Sequence, residues 1–235
     1  MELPLLKIQD LSAWYGHGKP VLSGFSLELN RHETAGLIGL NGAGKTTFLS
    51  VLSGLLPTFR SQGILFEGQS VHLRAHNFKT CRYTVFAEEH SFQYFTFHEY
   101  LAYVFSAYGK ELPDVSGLIK GFHFEDYTDI LIKDLSTGNR KKVFLITAFA
   151  LKPKLLFLDE PVNGLDFQST EYLYRLISGY GDFGTLLFSS HILESITQTS
   201  DRVFVLKDGK IQKTFAGGQI SAAGIREALR YEDVL

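Results

Sequence analysis

One glycine-rich stretch of the sequence carries the residue types that bind phosphate groups. It consists of Gly39, Leu40, Asn41, Gly42, Ala43, Gly44, Lys45, Thr46 and Thr47. Glycines let the backbone wrap closely around phosphate oxygens, while successive N–H groups and a helix N-terminus supply positive potential. Lys45 can reach the terminal phosphates, and the Thr46 hydroxyl can ligate Mg²⁺. A glycine-rich turn with a chance lysine is disfavoured, because a predicted strand precedes the stretch and a predicted helix follows it.

Two neighbouring carboxylates follow a continuous apolar run. Residues 155–158 are Leu, Leu, Phe and Leu, and Asp159 and Glu160 come directly after them. In open α/β folds, ligands bind at the carboxyl ends of parallel strands, which is where these acids would lie. Asp159 would hold Mg²⁺, directly or through water, and Glu160 could polarise an attacking water molecule. The alternative is a pair of solvated acids at a strand end, and the glycine-rich stretch upstream disfavours it.

The elements that would position these groups alternate between strands and helices. Apolar patterning and turn residues predict strands at residues 5–11, 21–29, 33–39, 63–66, 69–73, 155–158, 185–189, 202–206 and 210–215. The last two would form a hairpin around Asp208 and Gly209, and the short apolar run at 155–158 is typical of a buried parallel strand. Helices are predicted at residues 48–52, 97–108, 141–151 and 220–229. Residues 92–133 form a candidate helical insertion in the α/β body.

Composition and charge narrow the function classes. The chain has 235 residues, enough for one large α/β domain, and its net charge of −2 disfavours a bulk nucleic-acid binder. The one cysteine, Cys81, excludes an intramolecular disulfide and a cysteine zinc cluster. Residues 1–10 lack the pattern of a secretory signal, and the longest apolar runs fall far short of the ~20 residues of a spanning helix. If the protein acts at a membrane, we expect another protein to cross it.

The glycine-rich stretch and the acid pair resemble the nucleotide-binding domain of ABC ATPases, through residues 41–47 and Leu158-Asp159-Glu160-Pro161. The likeness covers essentially the whole chain, in the family's order and spacing. It implies one α/β P-loop domain over residues 1–235, with a mostly parallel core sheet, an N-terminal antiparallel β portion and an inserted α-helical subdomain at about residues 92–142. It also implies ATP and Mg²⁺ as ligands. The loop residues would bind ATP, Thr46 and Asp159 would bind the metal, and Glu160 would be catalytic.

Three further segments resemble family motifs. Tyr15-Gly16 resembles the A-loop, whose aromatic ring stacks on adenine; Trp14 is the competing candidate, and a core aromatic is the alternative. Gly164-Leu165-Asp166 resembles the D-loop, which places Asp166 among the nucleotide-binding residues. His191, just past the predicted strand at 185–189, resembles the switch histidine, a catalytic residue whose imidazole would hydrogen-bond the γ-phosphate.

The segment Leu135-Ser136-Thr137-Gly138-Asn139 resembles the family signature, Leu-Ser-Gly-Gly-Gln. In the family this segment opens a helix that faces the γ-phosphate bound by the opposite subunit, and Ser136 and Gly138 would carry that contact here. The resemblance therefore implies a homodimer, or a heterodimer with another ABC ATPase subunit, closed head to tail around two ATP molecules. Thr137 and Asn139 depart from the pattern, and the β-branched Thr137 could loosen closure or slow hydrolysis. Without the other motifs, Ser136 would be interpreted as an ordinary helix N-cap.

The family's Q-loop is altered in this sequence. Glu88 stands where glutamine is usual, and the spacing also allows Glu89. A carboxylate can ligate Mg²⁺, so we expect Glu88 to be a metal ligand with Thr46 and Asp159. The Glu-Glu pair resembles subunits of ABC-2-type exporters. The catalytic set is complete, which predicts an active ATPase.

The resemblance implies the ATP-hydrolysing motor subunit of an ABC transporter. The dimer would close and reopen, and the motion would pass to an integral membrane subunit at the cytoplasmic face of the membrane. Residues 88–107 would form the coupling surface, and the Glu-Glu pair favours export. One alternative is a soluble ABC ATPase acting on DNA or ribosomes, although the sequence has neither a coiled-coil insertion nor a second ATPase domain. Another is a P-loop phosphotransferase, which leaves the signature-like segment unexplained. No nucleic-acid partner is expected, and the membrane subunit would choose the substrate.

Overall fold

The computed structural model describes residues 3–229, so both ends of the expected domain span of 1–235 lie outside the described residues. The strands are β1 (Leu6–Ala13), β2 (Leu22–Leu29), β3 (Thr34–Ile38), β4 (Phe59–Arg60), β5 (Gly63–Phe66), β6 (Gln69–Ser70), β7 (Arg82–Val85), β8 (Leu155–Asp159), β9 (Thr185–Ser190), β10 (Arg202–Lys207) and β11 (Lys210–Ala216). The helices are α1 (Lys45–Leu52), α2 (His76–Lys79), α3 (Phe97–Ala107), α4 (Ser116–Gly121), α5 (Thr137–Leu151), α6 (Phe167–Ser178), α7 (Leu193–Thr199) and α8 (Ala222–Leu229).

The strands form two sheets of different type. The first sheet is antiparallel, with the order β2-β1-β5-β6 and with β4 paired to β1. The second has the order β11-β10-β3-β9-β8-β7. All of its neighbouring strands from β10 to β7 are parallel, and β11 closes the edge as an antiparallel hairpin with β10. This architecture confirms the expected α/β fold with a mostly parallel core sheet and an N-terminal antiparallel portion.

Strand β8 is apolar along its length because both faces of its sheet are covered. Leu155 and Phe157 belong to one hydrophobic core, the first core, which also contains α1 and side chains of the antiparallel sheet. Leu156 and Leu158 belong to the second core, on the other face, with residues of α3, α5 and α6. All four are fully buried. Such a strand requires apolar residues at successive positions, as the sequence predicts.

The parallel register brings the chemically interesting residues to one edge of the core sheet. Ile38 at the end of β3 pairs with Ser190, and Asp159 at the end of β8 pairs with Ser189. The glycine-rich loop after β3, the acid pair of β8 and the residues after β9 therefore emerge side by side.

The helical insertion lies between β7 and β8. Helix α3 begins at a capping box, in which Thr96 Oγ1 accepts from the Glu99 N–H at 3.3 Å and the Glu99 carboxylate accepts from the Thr96 N–H at 2.8 Å. Helices α3 and α4 fall within residues 92–142. Helix α5 runs past that expected boundary to Leu151, because its apolar side chains continue into the second core.

Several element bounds differ from the sequence-based expectations. Helix α1 begins at Lys45 rather than residue 48, with Gly44 at its N-cap, and α5 begins at Thr137 rather than 141, because Ser136 caps it. Strand β6 covers only Gln69–Ser70 of the expected 69–73. Strand β7, with its polar residues at alternate positions, was not predicted.

Among the helices between residues 3 and 229, none combines the length and the apolar character that a membrane-spanning helix needs.

Candidate nucleotide-binding site

The loop between β3 and α1 has a backbone that only glycine adopts without strain. Gly42 has φ +82° and Gly44 has φ +110°, both in the left-handed region. A Cβ on Gly39 would lie 2.5 Å from the Leu206 carbonyl oxygen, because the loop passes close to β10. The spacing of the glycines is thus explained by the path of the chain, which ends at the N-terminus of α1.

Lys45, the first residue of α1, joins this loop to the acid pair. Its Nζ donates to the Gly39 carbonyl at 2.8 Å and lies 3.2 Å from Glu160 Oε1. The Lys45 side chain is only 6% exposed and that of Glu160 only 10%. Two buried opposite charges at this distance attract strongly, so Lys45 and Glu160 hold each other in place.

Asp159 sits at the centre of a hydroxyl network. Its Oδ2 accepts from the Thr46 hydroxyl at 2.8 Å, and its Oδ1 accepts from the Ser189 hydroxyl at 2.6 Å. Asp159 is fully buried. A carboxylate beside a threonine hydroxyl is a hard oxygen donor pair of the kind that Mg²⁺ prefers. The residues from 3 to 229 contain no cluster of three or more His, Cys, Asp or Glu side chains that could hold a metal by itself.

Glu160 has an unusual backbone that several groups stabilise. Its φ of +47° is in the left-handed region, which is unfavourable for a residue with a Cβ. Its N–H donates to the Ser189 carbonyl at 3.2 Å and the Ser189 hydroxyl at 3.0 Å, and its carbonyl accepts from Lys141 Nζ at 2.9 Å. Its Oε2 lies 2.8 Å from His191 Nδ1. The structure therefore brings together Lys45, Thr46, Asp159, Glu160 and His191, as the sequence predicts.

Two residues of this network were missed by the sequence analysis. Ser189 touches both acids, and its position opposite Asp159 follows from the register of β8 and β9. A hydroxyl pair that ends an apolar strand was the available signal. Lys141 is a buried amine on α5, and the sequence pattern predicts it only as the first residue of a helix.

The aromatic residue next to the loop is Tyr15. Its hydroxyl lies 3.4 Å from Thr47 Oγ1, and the residue is 52% exposed. The competing candidate, Trp14, is tied by its backbone N–H to the Thr58 carbonyl at 3.1 Å. Tyr15 is therefore an exposed aromatic residue that contacts the phosphate-binding loop, and its stacking on a base stays a prediction.

The signature-like segment packs against the segment that resembles the D-loop, residues 164–166. Ser136 is exposed and caps α5, accepting from the Asn139 N–H at 3.2 Å. A Cβ on Gly138 would lie 2.4 Å from the Gly164 carbonyl oxygen, so only glycine fits there. This close contact fixes the exposed N-terminus of α5 relative to residues 164–166.

Asp166 connects the same two segments by charge. It caps α6 by accepting from the Ser169 N–H at 2.8 Å, and it pairs with Nζ of the buried Lys142 at 2.8 Å. Burial raises the pKa of the Asp166 carboxyl, but the hydrogen bonds from Lys142 and Ser169 outweigh it and lower that pKa well below its usual range. Asp166 is therefore a negative charge held between α5 and α6.

The structure does not bring Glu88 to the Thr46–Asp159 pair. The Glu88 side chain is 87% exposed, and its carboxylate lies 3.9 Å from His90 Nε2. No hydrogen bond or ion pair joins it to Thr46 or Asp159 in the described part of the chain. Both Glu88 and Glu89 instead line a cavity of about 240 Å³ that also borders Thr137 and Lys141. The loop after β7 directs the Glu88 carboxylate to solvent, apart from Thr46 and Asp159, and its place in the three-ligand set stays a prediction.

Comparison with known proteins places the fold and the site in a family. The ABC transporter family model matches residues 22–163. The chain is 35% identical to the putative ABC transporter ATP-binding protein AlbC of Bacillus subtilis (strain 168), over 92% of this chain and 94% of that protein. It is 30% identical to the SkfA peptide export ATP-binding protein SkfE of the same organism, over 90% and 89%. It is also 30% identical to the spermidine/putrescine import ATP-binding protein PotA of Spiroplasma citri, over 94% and 64%. A solved ATP-binding subunit of an ABC transporter has a TM-score of 0.82 at 27% identity, with 94% of each chain covered.

The fold and the loop at the end of β3 define a P-loop ATPase domain. Because the family model and the relatives match most of its length, the chain belongs to the ABC transporter family, as an ATP-binding subunit. It is accordingly an ATP-binding protein and an ATPase.

Proposed function

We propose that this chain is the motor subunit of an ABC exporter and that the acid pair after β8 carries out the hydrolysis of ATP. The observation that supports the hydrolytic role is the network beside the phosphate-binding loop, in which the buried Lys45, Asp159 and Glu160 adjoin the partly exposed His191. The backbone of residues 39–47 binds the phosphates, and Lys45 neutralises charge on the terminal ones. Tyr15 stacks on the adenine.

Thr46 and Asp159 are the metal ligands in this proposal. Their oxygens are already 2.8 Å apart, and both are hard donors suited to Mg²⁺. Bound Mg²⁺ would supply neutralisation of the negative charge on the phosphates. Ser189 orients the Asp159 carboxylate through its 2.6 Å hydrogen bond. The exposed Glu88 is the third expected ligand, and it would join this pair only if the loop after β7 moved toward it.

Glu160 is the proposed general base. Its carboxylate is buried between Lys45 and His191, so its direction is defined before any water molecule approaches. It would polarise the attacking water molecule. His191, which is 44% exposed, would face the γ-phosphate with the ring nitrogen that does not contact Glu160. It would donate there in the imidazolium form, in which both ring nitrogens carry a proton.

The exposed N-terminus of α5 favours a composite site made by two subunits. Ser136 and Gly138 lie at the start of a 15-residue helix whose dipole attracts anions. In the closed homodimer or heterodimer, this end would contact the γ-phosphate bound by the other subunit, with Asp166 near the same interface.

A membrane subunit is the proposed partner, at the cytoplasmic face of the membrane. Exposed aromatics in residues 88–107, among them Tyr94 and Tyr103, would receive it. Export is supported by the similarity to SkfE, a peptide export ATP-binding protein, and by the Glu88-Glu89 pair. An import protein matches at the same identity. The direction of substrate transport is therefore tested separately, by following transport into or out of vesicles that contain the co-purified membrane partner.

The closing experiment is the oligomeric state of Glu160→Gln, measured by light scattering with and without Mg-ATP. A dimer only with ATP supports binding without turnover and shows that Thr137 permits closure. Lys45→Ala is the matched control and should bind no ATP and remain a monomer. A Glu160→Gln variant that still hydrolyses ATP would refute the catalytic assignment. If Glu160→Gln stays monomeric and Thr137→Gly in that background dimerises, Thr137 is the obstacle to closure.

A further inference from the structure

A buried lysine on α5 contacts the main chain of the proposed general base. Lys141 follows the signature-like segment on the same helix, and its side chain is 6% exposed. Its Nζ donates to the Glu160 carbonyl at 2.9 Å. No role assigned above uses Lys141, although it is one of the few charged side chains buried at this edge of the core sheet.

The Glu160 backbone requires support on both sides. Its left-handed φ of +47° is unfavourable for a residue with a Cβ, and the following Pro161 further restricts its conformation. Ser189 holds the N–H side through its carbonyl and its hydroxyl. Lys141 holds the carbonyl side. The two contacts together clamp the peptide units before and after the Glu160 side chain, which sets the direction of its carboxylate.

Packing alone does not explain an amine at this position. Burial lowers the pKa of Lys141, while the charges of Asp159, Glu160 and Glu88 raise it. A buried charged group is unfavourable unless it is paired, and an apolar side chain of similar length would fill the same space without that cost. The hydrogen bond to the Glu160 carbonyl therefore accounts for an amine at this buried position.

We propose that Lys141 is a positioning residue for ATP hydrolysis, which holds the Glu160 carbonyl and so keeps the Glu160 carboxylate directed at the attacking water. The inference rests on the proposed role of Glu160. Because Ser136 caps the helix that carries Lys141, a displacement of the N-terminus of α5 would also move the group that contacts Glu160.

The test compares three variants in steady-state ATPase assays on the full chain. Lys141→Met keeps an unbranched side chain, one atom shorter, and removes the donor. Lys141→Gln has the same length as the methionine variant and keeps an N–H donor without the charge. Lys110→Met is the control for loss of a lysine–carbonyl hydrogen bond away from the site, since the exposed Lys110 donates through Nζ to the Leu151 carbonyl at 2.7 Å at the other end of α5. We expect Lys141→Met to lower kcat about tenfold with KM for ATP changed less than about twofold, since misorientation affects the reacting geometry more than binding. Lys141→Gln should recover part of the kcat that Lys141→Met loses, because its donor ends one bond closer to the backbone. Lys110→Met should match the wild type.

The outcomes separate positioning from structure. If kcat of Lys141→Met equals that of the wild type, or if Lys110→Met falls equally, the inference is wrong. If Lys141→Met keeps the wild-type kcat but has a lowered melting temperature or a changed KM, Lys141 has a structural role instead. A Lys141→Gln variant as slow as Lys141→Met refutes the hydrogen bond as the cause. Glu160→Gln is assayed in parallel, because retained turnover there refutes the proposed base and the positioning role with it. Lost turnover in Glu160→Gln together with a normal Lys141→Met refutes only the positioning role.

Discussion

Replacement of Gly138 by alanine tests the contact between the signature-like segment and residues 164–166. The added Cβ would lie 2.4 Å from the Gly164 carbonyl oxygen, whereas ordinary contacts begin at 3.4 Å. The obstacle is backbone rather than the end of a flexible side chain, and Gly164 itself has φ +83°. One of the two segments must therefore move by about 1 Å. Overpacking of this kind costs about 1–3 kcal/mol, which for a chain of this size lowers the melting temperature by about 2–12 °C.

The assay pairs thermal unfolding with ATPase rate. Gly117→Ala in α4 is the control, because a Cβ there meets nothing within 4 Å and alanine is favoured over glycine in a helix by about 1 kcal/mol. Its melting temperature should be unchanged or raised, with normal ATPase activity. Gly138→Ala should lose both stability and rate, since the position of Ser136 relative to residues 164–166 shifts. A Gly138→Ala protein as stable and as active as the wild type would refute the reasoning about this contact.

Three further predictions follow from the site and its supports. Asp166→Asn should lower the free energy of unfolding near neutral pH by about 1 kcal/mol, a value reduced for solvent screening because the carboxylate is half-exposed. Because the folded pKa of Asp166 is lowered, its stabilisation is present above the unfolded pKa of about 3.9 and is lost as the pH falls below it. Urea denaturation at several pH values should therefore show the two proteins converging in acid. Tyr15→Ala should weaken ATP binding about fivefold while Tyr15→Phe stays near the wild type, if stacking contributes about 1 kcal/mol; calorimetric titration checks this, and equal losses in both would refute stacking. Thr96→Ala should cost about 1 kcal/mol through loss of the α3 capping box, and an unchanged denaturation midpoint would contradict that.

The parts of the site that local sequence determines were predicted from it. Gly42 and Gly44 need positive φ values, which neighbouring residues alone can specify, and Asp159 follows a run that is apolar enough to be a buried strand. The residue types of these features can be recognised within a single segment of the chain. They were sufficient to predict the fold class, which the two sheets confirm.

The residues that the sequence analysis missed depend on long-range packing. Ser189 reaches Asp159 only because β8 and β9 are adjacent and in that register. Lys141 reaches the Glu160 carbonyl only because α5 packs beside the end of β8. The exposure of Glu88 depends on the path of the loop after β7. The sequence pattern does not predict β7, because polar residues alternate along it. No pattern confined to one segment specifies such contacts.

The two cores on opposite faces of β8 have a consequence for how this strand can evolve. Leu155 and Phe157 pack in the first core, whereas Leu156 and Leu158 pack in the second. Neighbouring positions in the chain thus experience separate selective constraints. Among homologous sequences, substitutions at Leu155 and Phe157 should covary with those in α1, and substitutions at Leu156 and Leu158 with those in α5, while covariation between adjacent residues of the strand stays weak.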